Sequence, residues 1–157
     1  MDQTIAEREE AIRAEFAALP TRDDKWEYLL KLARSHPAMD EGLKDSKFLV
    51  KGCATRLFLV PRLEGGVLFL ETDTEGGADS PLIVRGLAAL AQRLYSGRSP
   101  QEILTRDPAF FQSIGLNVAL SATRANGFAS LLRQIWLYAR VMSAMAGKGL
   151  EGDAPRS

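Results

Sequence analysis

Cysteine and histidine are nearly missing from this chain. Its 157 residues include one of each, Cys53 and His36. No intrachain disulfide can form. The pair cannot supply a thiolate-rich zinc site or hold an iron–sulfur cluster within one chain. Net charge of either sign is missing too, because 20 basic side chains balance 20 acidic ones. The chain as a whole projects no field that would gather nucleic acid or an acidic membrane. No run approaches the ~20 apolar residues that span a bilayer. The opening segment, MDQTIAEREEAIRAEF, is charged and amphipathic and lacks the apolar stretch of a secretory signal. These absences point to the cytoplasm and to partners other than membrane or nucleic acid.

The composition that remains is that of a globular domain, 46% hydrophobic and 25% charged. Residues 1–146 read as one domain and 147–157 as a disordered tail. Ile5, Ile12, Phe16 and Leu19 space a helix over 4–19 that ends at Pro20. Thr21 and Asp24 cap a second helix running to about His36, with Pro37 stopping it. FLVKGCATRLFLV reads as extended chain broken at Lys51–Cys53, its second part covering 54–60 with Pro61 as the limit. Gly65-Gly66 marks a hairpin turn and VLFLETDT the returning strand. Ser80 as N-cap with Pro81 at the first helical position starts a helix to about Ser96. Short helices follow over 100–105 and from Asp107-Pro108 to Ile114, and a long one over about 121–146. Helices, a hairpin, then helices predict an α+β fold, a small antiparallel sheet packed against several helices.

Cys53 is the residue with chemistry to offer. Gly52 leaves an open approach and a permissive backbone, and Lys51 and Arg56 are close in sequence. Nearby cations favour the reactive thiolate. A free cysteine is also among the most buried residue types, so a structural reading stands beside the reactive one. A cysteine hydrolase needs a base, and His36 closes a helix elsewhere. A redox sensor benefits from a resolving cysteine, which is absent. Attack on a persulfide needs one thiolate, a partner presenting sulfur, and no cofactor.

Several segments, in order, resemble the SufE family of sulfur-acceptor proteins. KWEYLLKLAR is similar to the family's second helix, and LVKGCATRLFLV to its G-C-Q-S-Q-V-W stretch. SPLIVRGLAALAQRLYSGRSPQEIL resembles its I-V-[RK]-G-L helix and following turn. FFQSIGLNVALSATRANGF resembles its F-x-x-[LM]-[GA]-L and L-[ST]-x-x-R-x-x-G-L signature. The likeness runs from about residue 8 to 140. It implies an IscU-like α+β scaffold in which Cys53 accepts sulfur from the persulfide of a SufS-type or CsdA-type cysteine desulfurase. It implies stimulation of that desulfurase and delivery to a SufBCD-type scaffold for iron–sulfur cluster assembly. The chain would then be no enzyme and would hold neither metal nor cofactor, since the pyridoxal phosphate belongs to the desulfurase. A monomer or weak homodimer is expected.

The chain departs from the pattern after the cysteine, where Ala54-Thr55-Arg56 replaces Gln-Ser-Gln and Phe58 replaces Trp. An Asp frequent in the family before the I-V-[RK]-G-L helix is Ser80 here, with Asp79 one step earlier. These departures keep an alternative open, a desulfurase-binding regulatory module that carries no sulfur. A thiol peroxidase lacks a second cysteine and a placed histidine. Arg124 matches the signature arginine. A cation in a helix's first turn opposes the macrodipole, so helix stability alone does not explain it, and a partner contact or an internal ion pair would each fit. Arg85, Gly86 and Gly127 lie inside helices, where glycine costs about 1 kcal/mol relative to alanine. Partner-binding or loop-supporting roles are therefore expected for Gly52, Lys51, Arg56, Arg85 and Arg124.

Overall fold

A computed structural model describes residues 3–77 and 81–147 and the backbone of Gly152 and Asp153. Helix α1 (Ile5–Ala17) opens with a capping box: Thr4 accepts from the Glu7 N–H, and Glu7 accepts from the Thr4 N–H. Helix α2 (Arg22–Ser35) opens in the same way on Thr21 and Asp24. Two single turns of 3-10 helix, Glu41–Leu43 and Ser46–Phe48, carry the chain to the sheet. Strands β1 (Leu57–Glu64) and β2 (Val67–Thr74) pair antiparallel, from Leu57 opposite Thr74 to Glu64 opposite Val67. Gly65 and Gly66, at φ 60° and 77°, make the turn that matches the strands' twist. Helices α3 (Leu82–Tyr95), α4 (Pro100–Leu104), α5 (Phe110–Ser113) and α6 (Ala122–Gly147) follow.

Pro61 does not limit β1. The Val50 N–H donates to the Leu57 carbonyl and the Glu75 N–H to the Arg56 carbonyl, each at 2.9 Å. Even positions of β1 therefore bond to β2 and odd ones face the other edge. Pro61 is an odd position, so its missing N–H costs no bond to β2. The strand also begins at Leu57 rather than 54, because residues 51–56 form turn and bend. Pro81 precedes α3 as its N-cap instead of occupying the first helical turn, and it offers no side-chain cap. Ser80 and Asp79 lie outside the described residues. In the tail expected to be disordered, Gly147 ends α6, and Gly152 and Asp153 form a short strand, β3, against Leu63 and Arg62. Residues 148–151 and 154–157 lie outside the described residues.

Helix α3 is the axis of the core. It packs on β2, α2 and α6 and buries Ile83, Leu87, Leu90 and Leu94. The sheet contributes Leu57, Leu59, Leu68 and Leu70, each at most 2% exposed. A methyl group at Gly86 would overlap the Leu29 carbonyl, so this glycine lets α2 and α3 touch backbone to backbone. It does not serve the Cys53 loop. Beside that contact, Arg85 is buried at 2% exposure. Its Nε donates to Asp73 at 2.9 Å, and its terminal nitrogens donate to the carbonyls of Ala33 and, at 2.8 Å, His36. One side chain thus ties α3 to β2 and to the end of α2.

Candidate functional site

Cys53 occupies the loop between Val50 and Leu57, which is pinned at both ends by the two backbone bonds named above. Gly52 turns the chain at φ 86°, a conformation other residues resist. A Cβ there would also stand 2.7 Å from Ser130 Oγ on α6. The loop therefore lies flat against α6 and aims the thiol inward. Cys53 is half-buried.

A cavity of about 30 Å³ adjoins the thiol. Its apolar walls are Leu57 of β1, Val84 and Leu87 of α3, and Phe128 and Leu131 of α6. Thr55, Thr123 and Arg124 supply its polar part. Gly127 is the closest approach of α6, since a Cβ on it would stand 3.1 Å from Cys53 Sγ. The glycine in the helix thus makes room for the sulfur.

Burial pushes the Cys53 thiol above its ordinary pKa, and the Thr55 N–H, which favours the thiolate, does not cancel the effect. The sequence suggested the opposite sign. The cations expected to lower the pKa are engaged or turned to solvent. Arg56 pairs with Glu75 at 2.7 Å on the surface. Lys51 is exposed at the turn. Arg124 does border the cavity, but its guanidinium lies over the Trp26 ring, 5.2 Å from the centroid. Among the described residues, the internal contact of Arg124 is thus a cation–π pair with α2.

The loop-supporting or partner-binding residues divide. Arg124 lines the thiol cavity, and Gly52, Lys51 and Arg56 lie on the loop that carries Cys53. Arg85 does neither, because it is sealed in the core on Asp73 and cannot meet a partner. His36 caps α2 and places Nε2 2.8 Å from the Thr72 carbonyl. It is not among the residues around the thiol. Gly127, Phe128, Leu131, Val84 and Leu87 had no place in the sequence-level site. Only Gly127 carried a signal, as a glycine inside a long helix. Among the described residues, no group of three or more His, Cys, Asp or Glu side chains could hold a metal ion. No helix among them is long and apolar enough to cross a membrane.

Fold and site define a class: a small α+β domain that presents one sheltered thiol from a loop at the start of its sheet. The chain belongs to the SufE family, described as a Fe-S metabolism associated domain, which matches residues 10–139. It is 36% identical over 122 residues to an uncharacterized SufE-like protein of Rhizobium meliloti, covering 77% of this chain and 86% of that one. It is 33% identical over 128 residues to the sulfur acceptor protein CsdE of Escherichia coli, covering 80% and 84%. A solution structure of a hypothetical protein from Thermus thermophilus superposes with a TM-score of 0.71 at 23% identity, covering 87% of this chain and 96% of that one. That likeness speaks for the fold.

Proposed function

We propose that this protein is a sulfur acceptor of iron–sulfur metabolism, with Cys53 as the residue that carries the sulfur. The observation that carries the reading is the cavity of about 30 Å³ beside the single thiol, kept open by Gly127. That space is roughly twice the ~10–15 Å³ one water requires, a scale that suits one additional atom on Sγ. Its walls are mostly apolar, which suits a persulfide that reductants would otherwise strip.

The Cys53 thiolate attacks the outer sulfur of a persulfide on a SufS-type or CsdA-type cysteine desulfurase. A new S–S bond forms at Cys53 Sγ as the donor's S–S bond breaks, and the bonding pair leaves with the donor's cysteine as a thiolate. The proton from Cys53 passes to that thiolate or to solvent. Sulfur moves with no net oxidation. Clearing the donor's persulfide stimulates the desulfurase, and the sulfur goes on to a SufBCD-type scaffold in the cytoplasm. The protein acts as a monomer or weak homodimer without cofactor of its own.

At rest, burial keeps the Cys53 thiol protonated and quiet. Docking that lifts residues 51–55 away from α6 relieves that burial and exposes the nucleophile. The test is intact-protein mass spectrometry after incubation with desulfurase and cysteine, without reductant. One sulfur added to the wild type and none to Cys53→Ser is expected. No added sulfur with a competent desulfurase, together with unchanged desulfurase stimulation by Cys53→Ser, would favour the regulatory module instead.

A further inference from the structure

A second cleft, about 560 Å³, runs between α6 and the segment 108–117. It is far larger than the Cys53 cavity and within the ~300–1,000 Å³ range of binding sites. One wall is a stripe of α6: Ala125, Ala129, Leu132, Trp136 and Arg140. Spacings of three and four residues put these on one face. Phe111 and Gln112 of α5 and Asn117 form part of the opposite wall. The Phe128 ring borders both cavities, so an occupant here sits beside the thiol site without covering it.

The electrostatics of this wall are one-sided. Helix α6 carries three arginines and no Asp or Glu over its 26 residues, in a chain whose net charge is zero. Arg133 and Arg140 both line the cleft. Arg133 donates to Ser130 Oγ at 2.9 Å, and among the described residues neither arginine has a carboxylate partner. Asp107, next in sequence to Pro108 of the cleft, accepts from the Ala109 N–H. Two large exposed apolar side chains are next in sequence to lining residues. Val118, 72% exposed, follows Asn117, and Leu137, 44% exposed, follows Trp136. From Ala125 to Arg140 the helix advances about 22 Å at ~1.5 Å per residue. That length exceeds a metabolite and matches about six or seven residues of extended chain.

We propose that the α5–α6 cleft docks an acidic segment of a partner protein, with apolar side chains seated on Trp136 and Leu132 and carboxylates on Arg133 and Arg140. The cleft borders the Cys53 loop at Phe128 and at Arg133, whose acceptor Ser130 abuts Gly52, yet the proposal does not depend on the sulfur-acceptor reading.

The probe is a short fluorescein-labelled peptide of Glu, Leu and Phe, with a control in which Lys replaces every Glu. Saturable binding of the acidic peptide is expected, weakening as sodium chloride is raised, with none for the control. Amide shifts in 15N spectra should gather at Gln112, Asn117 and Leu132. In the double variant Arg133→Glu/Arg140→Glu, whose fold is checked by circular dichroism, affinity should fall at least about tenfold, as two attractive contacts become repulsive. Absence of saturable binding, equal binding by the double variant, or shifts centred on residues 51–55 would overturn the proposal. Displacement of the peptide by millimolar benzoate would assign the cleft to a small organic anion and equally overturn it.

Discussion

Gly127→Ala separates what the fold needs from what the thiol needs. In a helix interior alanine is favoured over glycine by about 0.8–1.0 kcal/mol. Against this, the new Cβ would stand 3.1 Å from Cys53 Sγ and 3.8 Å from its Cβ, so the sulfur must give way by a few tenths of an ångström. Turning the thiol off its rotamer costs about 0.5–1.5 kcal/mol. The two terms nearly cancel, so stability stays within about 1 kcal/mol of the wild type and Tm moves by no more than ~2–4 °C. The space beside Sγ has no such compensation, because the methyl group takes room from a cavity of about 30 Å³. In mass-spectrometric time courses with desulfurase and cysteine, the sulfur-loaded fraction of Gly127→Ala should fall at least tenfold, about 1.4 kcal/mol against the persulfide state. Loading equal to that of the wild type, with Tm unchanged, would refute the assignment of this cavity to the second sulfur.

Three further outcomes follow from the same geometry. Gly52→Ala places a Cβ at positive φ and 2.7 Å from Ser130 Oγ, so denaturant titration should show a loss of about 1–3 kcal/mol. Adding Ser130→Ala should restore only the part due to the clash. Arg85→Met leaves the Asp73 carboxylate with Lys44 as its remaining cation, at 3.6 Å, and strands the Ala33 and His36 carbonyls, with an expected loss of at least about 1–3 kcal/mol by the same measurement. Alkylation of Cys53 by iodoacetamide should be slower near neutral pH than for an ordinary cysteine. It should accelerate only above the usual thiol range, because burial raises this thiol's pKa. A half-maximal rate at or below pH 7 would show that the cations near the loop govern the thiol after all.

The fold was largely legible because its signals are local. The capping pair Thr21 and Asp24 bonds the turn that follows, and the paired glycines at 65–66 fix the hairpin and hence the register. Pro61 misled because its effect depends on which edge its nitrogen faces, a property of pairing and not of the residue. Cys53 was legible as the one reactive side chain. The sign of its pKa was not, because sequence distance to Lys51 and Arg56 says nothing of where Glu75 will stand. The walls of its cavity come from β1, α3 and α6, elements far apart in the chain. Gly86 and Gly127 make the same point together. Each is a helix glycine within the family likeness, and the sequence treats them alike. One admits the Leu29 backbone and sets how closely two helices pack, while the other admits a sulfur atom. In both, the missing side chain keeps its meaning only through the neighbour that fills its place. Alanine at Gly86 should therefore cost stability whatever the state of Cys53, whereas alanine at Gly127 should leave the fold standing and impair the thiol alone.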